Sequence, residues 1–107
     1  MHSMWMATYD IFLFTGIKLT LEYMQDNGVI LVFTDAGTKQ KRLEKEIRKL
    51  SEKKNVKIFF VFSPRCRARC ENSLPVYERL SDGRMFNRTN FDQEIFFKSV
   101  VYMVCKH

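Results

Sequence analysis

Apolar residues along this chain follow two rhythms, and their alternation predicts its elements. Ile17, Leu21 and Met24 recur at helical spacing until Asp26-Asn27-Gly28 interrupts them. Val29 to Phe33 is instead an unbroken apolar run, which reads as a strand buried on both faces. It runs directly into Thr34-Asp35. Thr38 is placed to cap a second helix, in which Leu43, Ile47 and Leu50 form a narrow apolar stripe. Glu44 and Arg48 stand an i,i+4 pair apart on it. Lys57 to Phe62 is another β-rich run, ended by Ser63-Pro64. A short helix around Leu74 to Leu80 should stop at Asp82-Gly83, with Arg84 to Asn87 a third, short strand. Asn90 then caps a last helix whose Phe91, Ile95, Val101 and Val104 can face inward.

Strand, helix, strand is a βαβ unit, so the fold class is α/β, with a mostly parallel sheet and helices on both faces. In open sheets of this kind, ligands bind at the carboxyl ends of the strands. Asp35 falls at that end. There a carboxylate can reach a metal or cap a helix.

Composition narrows the picture. A length of 107 residues allows one domain with a modest core, and 46% hydrophobic residues with ten Phe describe a folded chain. No apolar run approaches the roughly 20 residues of a membrane span. Met1 to Phe14 has no basic n-region, is interrupted by Asp10 and offers no clear small-residue cleavage site, so it does not read as a signal peptide. Ile11-Phe12-Leu13-Phe14 either covers a neighbouring strand or extends the following helix. Trp5 and the early Met residues read as tail or packing material.

At these residues the sequence resembles a von Willebrand factor type A domain, in the version found in hemicentin-type matrix proteins. The resemblance rests on "TGIKLTLE", "VILVFTDAGTKQKRLEKEIRKL", "NVKIFFVFSP" and "VYERLSDGRMF" in that order, followed by a terminal helix. It covers roughly residues 15 to 104 and matches the second half of such a domain. It implies a Rossmann-like, three-layer α/β/α fold over 15–107, with 1–14 a non-homologous segment. It also implies an extracellular, non-enzymatic module for protein binding and cell–matrix adhesion, with a protein ligand.

The resemblance further implies a metal-ion-dependent adhesion site for Mg²⁺ (or Ca²⁺ or Mn²⁺), to which Asp35 would contribute the third-loop carboxylate. The DxSxS loop that should supply the other ligands is missing: no Asp of this chain is followed by Ser at +2 and +4. Thr15 does not inherit the ligand role of the family's second-loop Thr, which should lie nearer Leu13. A lone carboxylate is a poor trap for a hard cation, so metal binding is expected to be weak or absent. With the family's first strand missing as well, Val29 to Phe33 should present an unpaired edge that favours self-association.

Other features carry weaker signals. "RCRARC" sets Cys66 and Cys70 four apart, about 6 Å between Cα atoms on a helical turn, which suits a disulfide; two free thiols are the alternative. Three cysteines leave at least one unpaired within the chain, and Cys105 fills that role. With only His2 and His107 and no second cysteine pair, zinc is not indicated. Lys41, Arg42, Lys45, Arg48 and Lys49 form a basic helical face within a net charge of +6. Such a face is usually just solvated, though it can hold glycan or nucleic-acid phosphates. The aromatics are not interleaved with it, which counts against nucleic acid. Asn87-Arg88-Thr89 is a glycosylation sequon. No Gly-rich phosphate loop and no interior histidine constellation supports catalysis. Two alternatives to the adhesion module stay open: a small α/β phosphoryl-transfer enzyme using Asp35, and a basic glycan- or nucleic-acid-binding surface.

Overall fold

The computed structural model describes residues 4–7, 13–34, 37–63, 66 and 70–87. Its elements are β1 (Met4–Ala7), α1 (Leu13–Tyr23), β2 (Val29–Thr34), a 3-10 turn (Lys41–Leu43) leading into α2 (Glu44–Lys54), β3 (Lys57–Phe62), α3 (Leu74–Ser81) and β4 (Met85–Asn87). The four strands form one parallel sheet in the order β1-β2-β3-β4. The α/β class with a parallel sheet therefore stands. The helix expected from Asn90 onward lies outside the described residues.

Each helix forms where its apolar residues fall on one side. In α1 these are Leu13, Phe14, Ile17 and Leu21, all buried; in α2 it is Ile47, flanked by the half-buried Leu43 and Leu50. In α3 they are Val76, Tyr77 and Leu80. Pro75 sits in the first turn of α3, where its missing N–H costs nothing. Helix ends are set by residues that tolerate left-handed backbone: Asn55 at φ 54° after α2, and Asp82 at φ 51° with Gly83 at φ 79° after α3. Beyond α1 the reversal is taken by Asn27 at φ 64°, and Lys54 Nζ donates to the Glu22 and Met24 carbonyls that close that helix.

The pleat divides the strands cleanly. Ile30, Val32, Ile58, Phe60 and Phe62 face α1, α2 and α3 in the main core. Val29, Leu31 and Phe59 form a second cluster with the half-buried Phe33 and Phe86. Both sets are buried, which is why β2 and β3 show no alternation of polar and apolar positions. In the main core the fully buried Tyr77 ring packs at 4.6 Å from Phe60, 5.6 Å from Phe62 and 6.0 Å from Phe14, measured between centroids.

One expectation is overturned. Val29 to Phe33 is not an unpaired edge, because β1 lies parallel against it, with Met4↔Val29 through Ala7↔Val32 in register. The tetrapeptide Met-Trp-Met-Ala is apolar and too short to show a period, so nothing marked it as a strand beforehand. Leu13 and Phe14 open α1 and pack in the core, while the edge of β2 is covered by β1. No helix among the described residues is long and apolar enough to cross a membrane.

Two outcomes follow from this packing. Tyr77→Ala should lower unfolding free energy by about 3–5 kcal/mol in urea titrations, since it empties the site where three aromatic rings meet. Removing residues 1–7 should uncover the β2 edge and produce concentration-dependent association in sedimentation velocity, where the full chain shows less.

Candidate functional site

The carboxyl ends of β2 and β3 lie side by side, and Ser63 N donates to the Thr34 carbonyl at 3.2 Å. Thr34 is buried and is followed directly by Asp35, which lies outside the described residues. What the structure does describe is the polar frame around this edge.

That frame is a closed network. Gln40 reaches to the first turn of α1, where its Oε1 accepts from Thr15 N at 3.0 Å and its Nε2 donates to Thr15 Oγ1 at 2.7 Å. The Gln40 side chain thus satisfies an N–H that the helix start leaves without an internal partner. Ser73 Oγ, ahead of α3, accepts from Thr38 N at 2.9 Å and points back at the Thr38 carbonyl at 3.4 Å. Thr38 Oγ1 in turn accepts from Gln40 N at 3.0 Å. Thr38, Gln40 and Ser73 are all buried, so each bond carries weight. Thr38 does not cap α2 as expected: it bonds the backbone two residues on, and α2 begins instead through the 3-10 turn, without a side-chain cap.

The Cys66–Cys70 disulfide forms part of the same edge. Its Cα atoms are 4.9 Å apart, and both cysteines are buried in the main core. The Cys66 amide bonds the Ser63 carbonyl, and the Cys70 carbonyl accepts from Ser73 N and Leu74 N, so the cross-link carries the chain from the end of β3 to the Ser73 anchor.

The other expected site residues are not gathered here. Arg42 in the 3-10 turn and Lys45 and Lys49 on α2 are exposed, while Lys41 Nζ donates to the Asn72 carbonyl at 2.6 Å. The expected Glu44–Arg48 pair exists at 3.6 Å, but Glu44 is held more closely by Arg79, whose Nε and Nη2 donate at 2.7 and 2.8 Å. Asn87 ends β4 opposite Phe62. Sequence reasoning missed Gln40, Ser73 and Arg79. Their partners lie 25 to 35 residues away, and no local spacing announces such bonds.

As a cation cradle the described residues do not fit. Among them, no group of three or more His, Cys, Asp or Glu side chains comes together. The hydroxyl oxygens of Thr15, Thr38 and Ser73 each already accept a hydrogen bond within this frame, which lowers what they can offer a hard ion.

Comparison with known proteins agrees with the architecture. The family model described as "von Willebrand factor A domain" matches residues 10–90. Hemicentin-1 of Homo sapiens and Hemicentin-1 of Mus musculus are each 35% identical over 75 residues, covering 67% of this chain. The chain spans about 1% of the length of these relatives. No solved structure matches. The chain belongs to the von Willebrand factor A domain family.

Electrostatics near α2 give a measurable outcome. The hydrogen bonds from Arg79, aided by its charge and that of Arg48, hold the Glu44 carboxyl below its ordinary value of 4.5. A carboxyl lowered on folding adds stability that is present above its unfolded value and is lost as pH falls through the folded one. Arg79→Gln should therefore flatten the loss of stability on acidification below pH 4.5, read from thermal unfolding across pH.

Proposed function

We propose that this von Willebrand factor A domain is an extracellular protein-binding module of the cell–matrix adhesion kind, and not an enzyme. The hemicentin relatives support a matrix setting, and the family supports a protein ligand. The single observation that carries the reading is the position of β2: a central strand of a parallel sheet whose carboxyl end runs straight into Asp35. That is where the family fold gathers its adhesion site.

In this reading the chain corresponds to the carboxyl-terminal half of the family fold. β1 takes the flank of β2 that the family's first strand occupies, but without a DxSxS sequence behind it. Asp35 is the retained ligand of a site whose other ligands are missing. If Mg²⁺ bound, Asp35 would hold it and the ion would supply an attachment point for a partner carboxylate. With hydroxyls nearby committed to the internal network, the partner instead meets the polar carboxyl edge through direct hydrogen bonds. Asn87 is a glycosylation acceptor on this reading, at the end of β4.

The test is calorimetry with Mg²⁺ alone on the full chain and on Asp35→Ala. Saturable binding tighter than about 1 mM is not expected, and the two proteins should behave alike. Retention of matrix proteins on the immobilised chain should survive EDTA. Tight Mg²⁺ binding that disappears in Asp35→Ala would overturn the incomplete-site reading, and retention abolished by EDTA would do the same.

A further inference from the structure

α1 and α2 pack side by side on one face of the sheet, and their outer surfaces differ in chemistry. In α1 the inner positions are Leu13, Phe14, Ile17 and Leu21, which leaves Leu19 and Tyr23 on the opposite side of the helix, one turn apart. They are 49% and 82% exposed, and no other large hydrophobic side chain among the described residues is exposed. The acids Glu22 and Asp26 are exposed beside them. In α2 the buried Ile47 marks the inner side, and the outer side carries the exposed Lys45 and Lys49, with Lys53 one turn further on.

A simpler explanation deserves weighing. A Leu–Tyr pair at this spacing adds a little to the stability of its own helix, and single exposed apolar side chains are ordinary. That accounts for the pair but not for its setting, an apolar and acidic stripe directly beside a basic one. The two stripes are also held at a fixed level. Lys18 Nζ meets Glu46 Oε2 at 2.9 Å between the helices, and Lys54 Nζ donates to the Glu22 and Met24 carbonyls at 3.0 and 2.9 Å. Because the strands are all parallel, α1 and α2 run in the same direction, and Tyr23 lies level with the last turns of α2.

We propose that this outer face binds a second copy of the chain about a two-fold axis parallel to the two helices. Such an axis lays α1 of each copy along α2 of the other, in the same direction, so that every contact is made twice. Glu22 and Asp26 then meet Lys49 and Lys53 of the other copy, while Leu19 and Tyr23 pack over lysine stems of its α2. A two-fold axis across the helices would instead set α1 on α1 and α2 on α2, acid on acid and cation on cation. A chain of net charge +6 resists association, and of these two arrangements the parallel axis is the one that offsets the resistance with opposite charges. Helices of 11 residues, each about 16 Å long, form a small face, so the dimer belongs to the weak class that buries less than about 1,200 Å². It involves neither Asp35 nor the carboxyl edge, and it stops at two copies.

The experiment is sedimentation velocity on the full chain in low-salt buffer, taken up to about 1 mM because a weak face gives a dissociation constant between micromolar and millimolar. A reversible monomer–dimer equilibrium is expected. Tyr23→Ser, which leaves the core untouched, should weaken it by about tenfold, since each change occurs twice in the dimer. Glu22→Lys and Lys49→Glu should each weaken it to a similar extent, and the two together should restore it, a rescue that a folding defect would not produce. A chain that stays monomeric at the highest concentration, association unmoved by Tyr23→Ser, or single charge reversals that the double variant does not rescue would overturn the proposal.

Discussion

The parallel ladder between β2 and β3, running from Val29↔Lys57 to Thr34↔Phe62, is the constraint from which the rest of the molecule follows. Parallel neighbours cannot be joined by a tight turn, so the chain must cross over between them, and here α2 makes the crossing. The same rule, applied again, places α1 between β1 and β2 and α3 between β3 and β4. The three described α-helices then bury their apolar stripes on one face of the sheet, around Tyr77 and its aromatic neighbours. Because every strand runs the same way, all the carboxyl ends open at one edge and all the amino ends at the other. The two edges can diverge chemically without disturbing the core between them.

They do diverge. At the carboxyl edge, neutral hydroxyls and an amide close on themselves: Gln40 with Thr15, and Thr38 with Ser73. Buried neutral bonds of this kind stiffen a loop and leave little free capacity to strip water from an ion. At the amino edge, charge dominates. Lys54 caps α1, Asn55 Nδ2 donates to Asn27 Oδ1 at 2.8 Å, and Asn27 N bonds the Lys54 carbonyl, which ties the turns before β2 and β3 together.

Much of this was legible in the chain. The apolar runs at 29–33 and 57–62 marked buried strands because neither alternates, and Leu43, Ile47 and Leu50 marked the inner stripe of α2. Asp82-Gly83 announced the end of α3 through residues that accept positive φ. The Cys66–Cys70 bridge agrees with a spacing that suited it but left two free thiols as the alternative. β1 was not, because four apolar residues carry no period and its identity as a strand comes wholly from pairing with β2. The same holds for the Gln40, Ser73 and Arg79 contacts. Each joins segments brought together only after the crossovers form, so tertiary geometry, not local preference, selects them.

The disulfide shows how the edge and the core are joined. It closes too short a loop to restrict the unfolded chain much, so its weight lies in local shape. Between Ser63 and Ser73 the backbone must leave β3, turn and enter α3 while both cysteines stay in the core. The Cys70 carbonyl then orders the first amides of α3, and Ser73 is delivered to Thr38. Thr38 fixes the loop that follows Asp35, since Gln40 N hangs on its hydroxyl and the Gln40 side chain fastens α1. A covalent link on one crossover thereby steadies the chain on the far side of Asp35 through two buried hydrogen bonds in series. That relay needs no ion, because it runs through neutral side chains and backbone groups alone.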